Sequence, residues 1–334
     1  MARALTLYYD IGTTNMRAYL LDEKLTLLDR LSKALGAKDS AIAGSNQALL
    51  QGMKDLHDRL LTQGGYPESD LSEIYASGMA TSPYGILEIP HLRTPVSNRD
   101  FALRGVTTYR EEALFGRDIF LIAGLKTVGK DITSTNNVRG EEIEVLGVMP
   151  ELESRFPGKQ IAVILPGSHT HILLAGHDKI SGILSTFTGE LFYALKENTI
   201  LAPILEADTD HLEKEAIHLG LSNLQRYGLN RALYIGHAMR IFGHGSPTDR
   251  RSYCEAVISG GVITSLDAYC GEQWEGCDTA VIVSNSHMCE LFTALLQDSR
   301  RIRNVDRLIL TENQSAALEG LRRIIRIRKE EKRA

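Results

Sequence analysis

Cysteine is scarce in this chain: Cys254, Cys270, Cys277 and Cys289 are the whole set among 334 residues, all in the last quarter and none in a CxxC spacing. That excludes a disulfide framework and the commonest thiolate metal sites, and reduced structural thiols are the expectation. Long apolar runs are missing as well. No stretch approaches the roughly 20 apolar residues that a spanning helix needs, and Met1 to Leu7 leads to Asp10 without a long apolar leader, so a cytoplasmic protein with no membrane partner is expected. Concentrated basic charge is absent too. The net charge is −5, whereas nucleic-acid surfaces reward clustered Lys and Arg, so no nucleic-acid partner is expected. The one basic run, Arg322 to Arg333, is interrupted by Glu330 and Glu331 and reads as a solvated terminal helix. No GxSxG elbow, HExxH pair or GxGxxG after a strand occurs, which removes hydrolases of those types and Rossmann dehydrogenases.

What remains is an ordinary globular composition, 43% apolar and 24% charged, in a chain long enough for two domains and a cleft. A pattern occurs twice. Residues 4 to 31 read as an apolar strand, a Gly12 to Asn15 turn, the strand MRAYLL, a turn at Asp22-Glu23-Lys24 and the strand LTLLDRL. From residue 160, QIAVIL runs into Pro166-Gly167-Ser168-His169-Thr170, then HILLA, a turn at Gly176 to Lys179, ISGILSTF, and a helix opening at Thr188-Gly189-Glu190. Two copies half a chain apart predict a duplicated domain rather than a solenoid. Leu49, Met53, Leu56 and Leu60 mark a helix face, DIFLI a buried strand, and TAVIV a strand before a helix striped by Met288, Leu291, Phe292, Leu295 and Leu296. Alternating strands and helices predict an α/β protein.

Three segments carry candidate chemistry. Asp10 followed by Gly12-Thr13-Thr14-Asn15 couples a carboxylate that can hold Mg²⁺ to a turn whose N–H and hydroxyl groups can surround a phosphate, although on the residues alone an Asp before a Gly is more often just a turn former. Gly124 to Lys130 matches GxxxxGK, but Asp131 stands where a P-loop needs Ser or Thr and ITSTNN is poor helix material, so it is read as a decoy. Arg139-Gly140-Glu141-Glu142 places two acids together, either an acid–base pair or an acid-rich helix start. His169 and His171 share one strand face without further ligands in register, which favours hydrogen bonding over metal.

In order and spacing, these segments resemble the 2-keto-3-deoxygalactonokinase family of the sugar kinase, heat-shock protein and actin superfamily. The resemblance lies in DIGTTNMRAYL, SGMATSPYGILEIPHL, IAGL, VRGEEIEVLG, ILPGSHTHIL, FTGELFYAL, ISGGVITSLDAY and SAALEGLRRI. It implies a two-domain, actin-like ATPase fold of ribonuclease H-like type, with a duplicated β-β-β-α-β-α core and an interdomain cleft, divided as residues 1–150 and 151–334. It also implies a kinase that uses ATP and Mg²⁺ to phosphorylate the 6-hydroxyl of 2-dehydro-3-deoxygalactonate or a related keto-deoxy acid.

The same resemblance assigns roles. Asp10 would organise Mg²⁺, Gly12, Thr13, Thr14 and Asn15 would form one phosphate loop, and Gly167, Ser168 and His169 the other. Ser284 and Asn285 would lie on the nucleotide side, Glu141 or Glu142 would be the base, and Met79, Ser82, Arg139, Thr188 and Glu190 would meet the sugar acid. A homodimer is left open. The chain departs from the family at Ser168-His169-Thr170-His171-Ile172, where Thr-His-x-Lys-Trp is usual, at Ile86 in place of Trp, and at Ser284-Asn285-Ser286 in place of Gly-Thr-Ser. Those departures keep two alternatives in view: a non-catalytic relative that binds a sugar acid or phosphate, and a phosphohydrolase like the exopolyphosphatases.

Overall fold

The computed structural model describes residues 4–209, 211–311 and 314–333. The chain builds two compact units, one from residues 1–154, 178–181 and 315–334, the other from residues 155–177 and 182–314. The boundary is therefore crossed more than once, and the C-terminal helix belongs with the first unit.

In that first unit, β1 (Leu5–Ile11), β2 (Met16–Leu21) and β3 (Leu27–Lys33) form an antiparallel meander. Helices α1 (Ala37–Ala43) and α2 (Gln47–Gly64) follow, then β4 (Leu71–Gly78), short strands β5 (Leu92–Arg93) and β6 (Val96–Ser97), and α3 (Asn98–Arg104). Strands β7 (Val106–Glu111) and β8 (Arg117–Ile122) complete a sheet ordered β3-β2-β1-β4-β8-β7, with β4 parallel to both β1 and β8. Strands β9 (Leu125–Thr127) and β10 (Asn136–Val138) join β5 in a small second sheet. The GxxxxGK segment thus runs through β9, and only a single 3₁₀ turn at Ile132–Ser134, capped by Asp131, follows it, with no α-helix there. Helix α4 (Glu141–Arg155) opens after the Arg139-Gly140 turn. The predicted stripe of α2 is fully buried at Leu49, Met53, Leu56 and Leu60 and packs in one core with Leu5, Leu7, Tyr9 and Ile11 of β1. Burial of that stripe is what secures the helix, because its isolated turns would be marginal in water.

The second unit repeats the plan. Strands β11 (Ile161–Pro166), β12 (His169–Gly176) and β13 (Lys179–Phe187) make a second meander. Helices α5 (Gly189–Asn198), α6 (Ala202–Leu205), α7 (Lys214–Ile241), α8 (Pro247–Ser259) and α9 (Gly261–Glu272) come before β14 (Thr279–Ser284), α10 (Ser286–Leu296) and β15 (Asn304–Ile309). Strand order β13-β12-β11-β14-β15 matches β3-β2-β1-β4-β8 of the first unit, with β14 parallel to β11 and β15. The repeat visible in the sequence is thus a repeat of topology. Among the described residues the second copy carries α5 to α9 between its third and fourth strands, with α7 kinked at Gly228, where the first copy carries α1 and α2. All four cysteines are buried free thiols. The last helix, α11 (Ala316–Glu331), packs on α3 in the first unit. No helix among the described residues is long and apolar enough to cross a membrane.

Candidate functional site

Asp10 lies near the end of β1, its side chain 15% exposed, and Arg17 on β2 is both its cross-strand partner and its ion pair at 3.2 Å. Burial raises the carboxyl's pKa, and the Arg17 charge opposes that rise. Between them the Gly12–Asn15 turn closes on itself through Gly12 N–H donating to Asn15 C=O at 2.8 Å. Thr13, Thr14 and Asn15 remain exposed. The turn is braced from behind: Ala37 N–H donates to Gly12 C=O and Lys38 N–H to Thr13 C=O, at 3.2 and 2.9 Å. Within it Asn15 Nδ2 donates to Thr14 Oγ1 at 3.0 Å, and an exposed polar turn with a carboxylate at its lip is a geometry that suits a metal-bound phosphate.

Glycine brings α4 to the same place. Gly78, at the end of β4, has φ +67, and a Cβ there would collide with the Ile11 carbonyl while lying 3.7 Å from the Arg139 carbonyl. Only a residue without a side chain lets these backbones approach so closely. The Arg139-Gly140 turn that opens α4, and with it Glu141, Glu142 and Glu144, is thereby brought against Gly78, beside the end of β1. A helix N-terminus favours such acids.

The three acids differ in what they can reach. Glu142 has no exposed surface, and both its carboxylate oxygens accept Gly140 N–H at 2.9 Å. Burial and the neighbouring Glu141 push its pKa up to about 8. It is closed to a ligand. Glu141 is half-buried and accepts Arg139 N–H at 3.2 Å. Glu144, one turn on from Glu141, is pushed up to about 8 by burial, then by Glu141 and by Asp10. The sequence reading missed Glu144 and Arg17. The first follows from helical spacing, because i and i+3 share a face. The second follows from hairpin register.

The remaining predicted residues of the first unit are largely engaged. Arg139 donates to Thr81 Oγ1 at 2.7 Å and to the Ile89 carbonyl at 2.8 Å, with His91 Nδ1 at 3.4 Å. It clasps the 79–92 segment to the start of α4. Ser82 is buried and donates to the Met79 carbonyl at 2.8 Å, while Met79 packs at the core edge.

In the second unit, Gly167, Ser168 and His169 form the β11–β12 turn, with Gly167 N–H donating to His169 C=O at 3.0 Å. The start of α5 lies directly on this turn. Glu190 N–H donates to Ser168 C=O at 2.7 Å, and Glu190 Oε2 stands 3.2 Å from His169 Nε2. Thr188 is buried, its hydroxyl 2.9 Å from that of Thr170, and a Cβ on Gly189 would strike the Gly167 carbonyl. Thr188 and Glu190 therefore belong to the wall of the second loop. His171 Nδ1 meets Ser185 Oγ at 2.9 Å, and burial with the nearby His169 lowers its pKa to about 4. It is neutral at pH 7, so no cation replaces the usual lysine. Asn285 caps α10 by accepting Met288 N–H at 3.0 Å, leaving Asn285 and Ser286 exposed. No group of three or more His, Cys, Asp or Glu suited to a metal occurs among the described residues.

Comparisons with known proteins agree with this architecture. A protein of Rhizobium meliloti (strain 1021), named as a probable 2-dehydro-3-deoxygalactonokinase, is 27% identical over 201 residues, which are 60% of this chain and 59% of the relative. The chain thus spans about 59% of the length of that curated relative. A crystal structure from Sinorhizobium meliloti, assigned to the 2-dehydro-3-deoxygalactonokinases, superposes with a TM-score of 0.72 at 21% identity and 98% coverage of both chains. A reductive activator for a corrinoid, iron–sulfur protein shares the fold at a TM-score of 0.51 and 14% identity, covering 99% of this chain and 62% of that one. The family described as 2-keto-3-deoxy-galactonokinase matches residues 10–324. With its ends at Asp10 and Ile324, that match takes in both phosphate-loop candidates and the acids of α4, and the chain belongs to the 2-keto-3-deoxy-galactonokinase family.

Proposed function

We propose that this chain is an ATP-dependent kinase for the 6-hydroxyl of 2-dehydro-3-deoxy-D-galactonate or a closely related keto-deoxy sugar acid. The observation that carries the reading is the clustering, within the first unit, of Asp10, the exposed Gly12–Asn15 turn and the acidic start of α4, inside a family match over residues 10–324. Phosphoryl transfer asks a protein mainly to position groups and neutralise charge. Two loops rich in backbone N–H, at residues 12–15 and 167–169, suit that task.

Mg²⁺ fits the donors present. Asp10 offers hard carboxylate oxygens, Glu144 is near enough for the two charges to interact, and the Arg17 that pairs with Asp10 is exposed, 58% at its side chain. The ion would neutralise charge on the phosphate oxygens. Of the two candidate bases, Glu141 is the one a substrate hydroxyl can approach, and Glu142 acts by holding the Gly140 turn. Arg139 and Ser82 serve the sugar-acid segment as supports, leaving Met79 and backbone groups as its contacts. His169 and Glu190 would adjust the second phosphate loop, and Ser284 and Asn285 the nucleotide side.

The test is an ADP-release assay with Mg-ATP over a panel of 2-keto-3-deoxy sugar acids, run beside ATP-dependent thermal shift. Turnover on at least one acid is expected. No turnover on any acid together with no nucleotide-dependent shift would refute the proposal.

A further inference from the structure

The turn after β14 is tied down by a charged cluster. His287, in the first turn of α10, places Nε2 2.8 Å from Glu255 Oε2, and the other oxygen of Glu255 accepts Arg251 Nε–H at 2.9 Å. The Glu255 side chain is 4% exposed, so a carboxylate sits inside the second unit with both oxygens matched. Arg251 is fixed in turn by donating to the Ala207 carbonyl, and its guanidinium lies 6.0 Å from the Phe192 ring centroid. Removing one member of such a buried pair leaves an uncompensated charge, so the loss of either partner is costly.

A cation in the first turn of a helix opposes the helix dipole, which favours acids there. His287, when protonated, breaks that rule, and Glu255 compensates. The groups facing the imidazole are Glu255 and Arg251 on α8 and Glu290 on its own helix; the Glu255 hydrogen bond raises the His287 pKa most, and burial, then Arg251, opposes it. Glu255 itself is held below the usual carboxylate range by His287 and Arg251, against its burial. With Nε2 committed and the ring 32% exposed, Nδ1 becomes a second donor when the ring is protonated. Local violations of this kind mark functional positions.

We propose that Glu255, braced by Arg251, is a positioning residue that holds the His287 imidazolium beside the Ser284-Asn285-Ser286 turn, where its charge assists binding of the anionic phosphates of ATP in a turn that lacks glycine. This inference rests on the kinase reading above. It explains how a chain with serine and asparagine in place of Gly-Thr keeps a nucleotide-side turn that is fixed and attractive to anions.

The experiment measures KM for ATP and kcat from about pH 6 to 9, together with ATP-induced thermal shift, in the wild type, His287→Gln, His287→Arg and Glu255→Gln. In the wild type KM is expected to rise with pH as the imidazole loses its proton. His287→Gln should raise KM about five- to tenfold at the low end of the range, with kcat changed far less, and abolish its pH dependence. His287→Arg should restore a low KM that no longer varies with pH, and Glu255→Gln should move the rise to lower pH. A wild-type KM for His287→Gln at every pH, with ATP still bound, would overturn this proposal alone; equal losses in the Gln and Arg variants would do the same by showing that shape rather than charge matters. Absence of any ATP-dependent turnover or shift in the wild type would overturn the kinase reading and this proposal together.

Discussion

Arg17 and Asp10 face each other across the β1–β2 hairpin as register partners and as an ion pair at 3.2 Å. Burial favours the protonated carboxyl, and Arg17 is the charge that opposes it. Arg17 thus favours the anionic form of Asp10 that a cation would meet. Replacing Arg17 by Met should move the acid limb of the pH–rate profile upward by about one pH unit. An unchanged acid limb would show that Asp10 ionises without its partner.

The acids at the start of α4 should separate by role. Glu141→Gln is expected to lower kcat by about 10²- to 10⁴-fold with little change in melting temperature. Glu142→Gln should instead weaken the helix start, because its two hydrogen bonds from Gly140 N–H are intramolecular and inaccessible. Comparable kcat losses with full stability in both variants would contradict this division.

Glu144 offers a stability test with a defined sign. Its folded-state pKa is raised to about 8 from an ordinary value of 4.5. The stability tied to its proton is therefore complete below the unfolded value and lost as pH rises through the folded one. Glu144→Gln, which keeps a neutral side chain at every pH, should flatten the decline in melting temperature between about pH 5 and 8, a gain on the order of 1–2 kcal/mol at the alkaline end. Activity should fall at the same time. Parallel melting profiles would refute the buried-proton assignment.

Gly78 is where backbone geometry assembles the site. Gly78→Ala combines a left-handed φ of +67 with a collision against the Ile11 carbonyl. A loss of about 2–4 kcal/mol is expected from chemical denaturation. Near-wild-type stability would mean that β1 and the Arg139-Gly140 turn can separate without cost.

Much of this was legible from residues alone, and the limits have physical causes. The hairpins could be read because strand alternation is local, and α2 because its apolar stripe repeats at helical spacing. The Asp10 turn and both loop candidates lie where the motifs place them. Arg17 was not read because pairing depends on how the four-residue turn sets register. Glu142 looked as available as Glu141, since nothing in two adjacent acids says which side chain folds back on its own turn. The His287–Glu255 pair joins residues on separate helices, and the return of α11 to the first unit depends on packing of a distant segment, signals that no local pattern carries.

The most direct measurement is ³¹P NMR of the product formed from Mg-ATP and 2-dehydro-3-deoxy-D-galactonate by the wild type and by Asp10→Asn. The account predicts a phosphomonoester at the 6-position from the wild type and a loss of at least about 10²-fold in its rate of formation in the variant. A wild-type reaction that yields only inorganic phosphate, or an Asp10→Asn enzyme as fast as the wild type, would contradict it.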